Sequence, residues 1–174
     1  MRAGRFFRSA CSAVLAAMAL APCAFATTPQ EYISGFVLYV RWPDDAAIKR
    51  WQICVARPSD AADAHYAELV VRERPFELRR VAAGDALASC QILDLTGADV
   101  AAAEALLKAA QSQRGLLTVG TGRVFCSGGG LICLRADDAR GGFEINLSGM
   151  KNAGFSINAR LLMLARTPTA EASP

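Results

Sequence analysis

Histidine is almost missing from this chain: its 174 residues include one, His65. Any serine or cysteine nucleophile activated by imidazole would have to use that ring. His65 lies on a short predicted helix beside Tyr66, and no serine near it sits in a glycine elbow. A hydrolase built on His65 therefore has nothing else to support it. Other catalytic frames are absent too. There is no C-x-x-C outside the leader, no G-x-x-x-x-G-K-[ST], and no G-x-G-x-x-G ahead of a helix, which removes the usual marks of thiol redox centres, phosphate loops and dinucleotide folds. Gly120-Thr-Gly122 and Gly128-Gly-Gly130 complete none of these frames. The second cluster reads as the flexible insert of a disulfide loop. Asp44-Asp45 and Asp137-Asp138 lie in turn-like stretches, where neighbouring carboxylates form turns more often than acid–base pairs. Outside the leader no two cysteines stand the two to about four residues apart that zinc sites use. No catalytic set, metal or cofactor is expected.

Charge of one sign is also lacking. The formal charge is +3, but of 19 Lys and Arg residues three, Arg2, Arg5 and Arg8, stand at the extreme amino terminus. The other 16 equal the 16 Asp and Glu. A neutral body has no general electrostatic pull towards nucleic acid or anionic lipid. The cluster Arg72-Glu73-Arg74 with Arg79-Arg80 reads as a solvated strand edge.

What is present begins with an export leader. Met1 to Arg8 is basic, Ala10 to Leu20 is apolar but too short to span a bilayer, and Ala24-Phe25-Ala26 is a small-x-small cleavage site. The expected cut follows Ala26. A lipoprotein cut before Cys23 would need a small residue where Pro22 stands. Residues 27–166 are then expected to form one periplasmic domain, with 167–174 a disordered tail.

The periodicity alternates between two kinds. Tyr32, Ile33, Phe36, Val37 and Val40 fall at helical spacing after Thr28-Pro29, which predicts a helix from Pro29 to Arg41 ending before Trp42-Pro43. Trp51–Arg57, Phe76–Val81, Cys90–Leu95, Gly115–Gly120, Leu131–Arg135 and Phe143–Leu147 read as strands. Ala61–Val70, Val100–Gln111 and a last segment from about Gly149 to Ala165 read as helices, the last capped by Ser148. This order predicts a three-layer α/β fold with a mainly parallel sheet, an antiparallel edge strand and helices on both faces.

Four cysteines remain after the leader, and they allow three pairings. Cys126 and Cys133 bracket a segment able to turn back on itself, so a local bridge forms easily. That leaves Cys54 with Cys90, both at or near the starts of strands. The chain-entropy relation gives the longer crosslink about 4 kcal/mol and the shorter about 2 kcal/mol.

Several short runs agree, in order, with one family. They are Tyr32…Phe36…Tyr39…Trp42-Pro43, Ile53-Cys54-Val55, Cys90-Gln-Ile-Leu93, Leu116-Leu-Thr-Val119, Gly129-Gly130…Ile132, Phe143-Glu-Ile-Asn146, and Ala153-Gly-Phe-Ser-Ile-Asn158 with Leu161-Leu162. From about Tyr32 to Arg166 the chain resembles the YfiR family. The resemblance implies a periplasmic, non-catalytic repressor in cyclic di-GMP signalling and biofilm control. Its partner would be the periplasmic domain of an inner-membrane diguanylate cyclase, held inactive by contact. An OmpA-like outer-membrane lipoprotein would compete for it, and a homodimer is possible. Cys54 and Cys90 fall at the family's strand-borne disulfide, Cys126 and Cys133 at a more optional one. Ser34-Gly35 departs from the family's first helix, at about 1 kcal/mol of propensity for the glycine.

Glu144, Met150 and Ile132 are the candidate partner-contact residues. Alternation sends Phe143, Ile145 and Leu147 inward and leaves Glu144 facing out, and Met150 is brought up beside it. The alternative is a small-ligand sensor with a pocket at the carboxyl ends of the strands, lined by Trp42, Trp51 and Arg123.

Overall fold

The computed structural model describes residues 28–60, 63–135 and 142–165. The leader, the Asp137-Asp138 turn and the tail lie outside the described residues. The chain opens with α1 (Pro29–Tyr39). Thr28 caps it through a full capping box: the Glu31 N–H donates to Thr28 Oγ1 at 3.3 Å, and the Thr28 N–H donates to Glu31 Oε2 at 2.7 Å. The helix stops two residues earlier than its periodicity predicts. Val40 is extended and joins β1 (Val40–Arg41), which pairs antiparallel with β9 (Ser156–Ile157).

The main sheet takes β2 (Trp51–Val55), β3 (Val70–Val71), β4 (Arg74–Arg80), β5 (Ile92–Asp94), β6 (Leu117–Thr121), β7 (Ile132–Leu134) and β8 (Phe143–Ile145) in the order β3-β4-β2-β5-β6-β7-β8. The five inner strands are parallel, and β3 and β8 run antiparallel at the two edges. The expected α/β architecture is present, with an antiparallel strand at both edges rather than one. Around it lie α2 (Asp63–Glu68), α3 (Val100–Ala110), α4 (Gly122–Ser127), α5 (Leu147–Asn152) and α6 (Ala159–Leu164).

Strand alternation divides the core. Ile53, Val55, Ile92, Leu117 and Val119 face a cluster that includes Ile33, Phe36 and Val37 of α1. Cys54 and Leu93 face the other way, onto Leu106 and Leu107 of α3 and Phe125 of α4. Neighbouring strand residues thus serve opposite faces, as the pleat requires. Trp51 and Trp42 pack at 4.8 Å between ring centres and are both buried. Their indole N–H groups donate to Val71 O at 2.9 Å and Gln91 O at 3.3 Å.

Two predicted features differ. The long carboxyl-terminal helix is two short ones. Gly154 takes a left-handed φ of 87°, Phe155 turns into the core, β9 follows, and Asn158 caps α6 through Arg160 N at 2.9 Å. The first of the pair is capped by Asn146, whose side chain accepts from Gly149 N at 2.9 Å, and not by Ser148. The glycine clusters contain a helix, α4, that periodicity did not reveal. Their function is packing. A Cβ at Gly120 would stand 2.7 Å from the Phe125 ring, and one at Gly130 would stand 2.3 Å from it. The two glycines clamp that ring, so Gly128–Gly130 is a packing element and not a flexible insert.

Both disulfides form as expected, Cys54–Cys90 and Cys126–Cys133, with Cα separations of 5.8 Å and 5.4 Å.

Candidate interaction surface

The residues expected to meet a partner separate. Ile132 sits in β7 between β6 and β8, and Met150 lies on the inner side of α5; both are 0 % exposed. Neither can touch a partner in this fold. Strand alternation fails here because the chain leaves the extended conformation after Ile145, and the period changes from two to 3.6. Leu147 therefore points out and Met150 points in, the reverse of the strand extrapolation. Glu144 is half-buried on the edge strand β8, opposite Cys133. Its carboxylate accepts from the Arg135 guanidinium, so its charge is balanced locally.

Another surface stands out. α6 begins at Asn158 beside the β1–β9 ribbon and buries one large apolar residue, Leu161. Leu162, Met163 and Leu164 that follow are exposed, Met163 to 77 %. A six-residue helix has too little of its own face to hide four apolar residues in a row. On α1, which packs against α6, Leu38 is exposed and borders a shallow depression with Ile157 and Asn158. Single exposed leucines are ordinary, but a grouped apolar face on a monomer marks an interaction site. The signal was legible in part: Asn158 is a strong cap, and Leu161-Leu-Met-Leu164 is apolar all round.

A buried charge cluster lies at the carboxyl ends of β2 and β5, where the order of the parallel strands reverses. Arg57 follows β2, and its side chain is 9 % exposed. Its Nη1 donates to Asp63 Oδ1 at 2.7 Å, and its Nη2 stands 3.7 Å from Asp94 Oδ2. Nε lies 3.7 Å from Asp60 Oδ2. Asp94 is 0 % exposed and accepts from Thr96 N at 2.9 Å and from the Thr96 hydroxyl. Tyr66 Oη lies 3.4 Å from its other oxygen. Burial pushes the Asp94 carboxyl above its ordinary range, more than Thr96 and Arg57 pull it back. For Asp63 burial also acts upward, but hydrogen bonds from Arg80 and Arg57 outweigh it and hold the carboxyl low. Burial, then the Asp94 charge, drives the Tyr66 phenol upward. Asp63 is hydrogen-bonded to two arginines and Asp94 to Thr96, so the cluster fastens β2, β5, β4 and α2 to each other. His65 is exposed on α2 and takes no part in it. Trp42 and Trp51 are buried core residues. Arg123 instead borders a depression of about 500 Å³ beside Cys126 and Cys133. The basic residues expected on a solvated edge are also engaged. Arg72 and Arg74 lie 5.7 Å and 5.2 Å from the Trp51 ring and both pair with Asp45.

The profile of one family, described as YfiR/HmsC-like, matches residues 28–166, a span that includes all of the described residues. The chain belongs to the YfiR/HmsC-like family. Members are regulators rather than catalysts, which supports a periplasmic regulator of cyclic di-GMP signalling. Two disulfides fit that oxidising compartment. Among the described residues no helix is long and apolar enough to cross a membrane.

Proposed function

We infer that this YfiR/HmsC-like protein represses an inner-membrane diguanylate cyclase by binding its periplasmic sensor domain, with an OmpA-like outer-membrane lipoprotein as the competing partner. The observation that supports contact-based action is the apolar run Leu162, Met163 and Leu164, exposed on α6, with Leu38 exposed on the neighbouring α1. A cluster of this kind suits the dry centre of an interface, and an unbranched Met adapts to a partner's shape. Contact with the sensor domain covers this face. Release of the repressor lets cyclic di-GMP rise, and biofilm formation follows.

Titration of the oxidised protein with the sensor domain tests this. Met163→Asp alters an exposed side chain, so the melting curve stays within the range of about 0.5 kcal/mol typical of surface changes. Capture of the sensor domain weakens at least about tenfold, because a carboxylate would be buried without a partner at the contact. Glu144→Lys serves as the comparison. It breaks an exposed ion pair worth about 0–1 kcal/mol and sets a lysine beside Arg135. Weakened capture in Glu144→Lys with normal capture in Met163→Asp moves the contact to the β8 edge and overturns the α6 assignment.

A further inference from the structure

A pocket of about 300 Å³ opens between the carboxyl end of α3, the Gly128–Gly130 turn and α5. It lies at the amino ends of β6 and β7, away from the strand ends where the sequence placed a ligand. Its floor is apolar: Leu107, Ala110, Leu116 and Leu131. The turn forms one wall and is tied back to α3, since Gln111 Nε2 donates to Gly128 O at 2.8 Å. Gly129 holds a left-handed φ of 96°, and a Cβ there would stand 3.1 Å from that nitrogen. Glycine is what lets the wall close on Gln111 without crowding the pocket.

Polar side chains line the pocket as well, Gln111, Ser112, Gln113 and Asn152 among them, and Thr118 and Arg114 mark its depth and its mouth. Thr118 is 3 % exposed. Its Oγ1 accepts the Leu131 N–H at 2.9 Å, and among the described residues nothing accepts its own proton. A hydroxyl both donates and accepts, so one buried donor remains available to the pocket. At the mouth, Arg114 is exposed and has no carboxylate partner among the described residues. Its guanidinium lies against the Gly154 backbone, where a Cβ would stand 3.0 Å from Nη2. A cation at the rim, an apolar floor and a donor at depth call for a ligand with an anionic head, an apolar body and a distal acceptor.

We propose that this pocket binds a small organic carboxylate, its head on Arg114, its body over Leu107, Leu116 and Leu131, and an oxygen at its far end on Thr118. The site does not use the α6 face, so it stands apart from the contact-based reading, and its Gly129 wall lies inside the Cys126–Cys133 loop. 4-Hydroxybenzoate carries all three features. p-Cresol lacks the carboxylate, and benzoate lacks the distal oxygen. Calorimetric titration of the full oxidised protein, with amide chemical-shift mapping, compares the three. 4-Hydroxybenzoate gives saturable binding with shifts at Thr118, Gly129 and Leu131. p-Cresol binds at least about tenfold more weakly, the loss expected for one hydrogen bond to a charged group, and benzoate several-fold more weakly. Arg114→Gln, on the surface, reproduces the tenfold loss with an unchanged melting curve. Ala153→Leu fills the pocket and abolishes binding. No saturable binding by the wild type, or equal affinity in Arg114→Gln, overturns the proposal.

Discussion

Arg57→Ala lowers the unfolding free energy by about 3–5 kcal/mol, the loss expected when one partner of a buried charge cluster is removed. The side chain sits among Asp60, Asp63 and Asp94 at the ends of two central strands. Deleting it leaves Asp94 fully buried with only Thr96 and Tyr66 as partners. Arg50→Ala provides the contrast. Its pair with Glu77 is half-exposed, and its loss costs no more than about 1 kcal/mol. The pH dependence identifies the cause. Asp63 is held below its ordinary value of 3.8. Its share of stability is therefore present above that value and lost as pH falls through the lower folded pKa. Asp94 is shifted the other way from 3.8. Its share is complete below that value and lost as pH rises through the raised folded pKa. Without Arg57 Asp94 loses its neighbouring cation and Asp63 keeps only Arg80, so protonating the carboxylates relieves the variant. The deficit between wild type and Arg57→Ala narrows as pH falls from about 7 to about 4 in denaturant titrations. A deficit independent of pH would mean that Arg57 stabilises through packing of its stem rather than through charge.

Most of the sheet was readable because the inner strands other than β4 are short, mostly apolar runs bounded by breakers. Trp51–Val55 stops ahead of Pro58, and Leu117–Thr121 follows Gly115 and precedes Gly122. Burial on both faces removes alternation, but length and flanking residues replace it as the signal. The charge cluster was hidden by the same logic. Asp94 looks like the polar tail of a strand and Arg57 like the residue after one, and only the adjacency of β2 and β5 brings them together. A charge at the carboxyl end of each of two predicted parallel strands was the available sign. The contact residues failed for a different reason. Met150 faces outward only if the Phe143–Leu147 alternation is extended across the boundary at Asn146, where a side-chain cap begins a helix, and Ile132 is buried in an inner strand. Asn158 gives the same signal at the start of α6, and Gly154 four residues earlier marks the break. Reading those two residues as punctuation separates α5 from α6 and isolates Leu162-Met163-Leu164 on a helix too short to bury them.

Cys54→Ser destabilises the protein more than Cys126→Ser. The two bridges close segments of very different span, with sequence separations of 36 and 7. Restricting the longer segment removes more freedom from the unfolded chain, about 4 kcal/mol against about 2 kcal/mol in the chain-entropy relation. Burial adds to the difference. Cys54 and Cys90 lie in the second core beside Leu87, Leu93 and Leu106. A serine hydroxyl at Cys54 enters an apolar site, and an unpaired buried hydroxyl costs about 1–3 kcal/mol. Cys126 is half-buried at the end of α4, and its bridge ties that helix to β7, to which a tight glycine turn already joins it. Equilibrium unfolding under oxidising conditions ranks the two variants, and Cys54→Ala with Cys90→Ala removes both the hydroxyl and the spare thiol. That double variant keeps most of the loss if loop entropy dominates. It recovers to the level of Cys126→Ser if the core hydroxyl is responsible. Where the repressor role holds, the same order appears in cells as lower protein abundance and higher cyclic di-GMP for Cys54→Ser. Equal unfolding midpoints for the two single variants would remove the argument from loop length, since the segments closed by the bridges differ about fivefold in span while the relation depends on its logarithm.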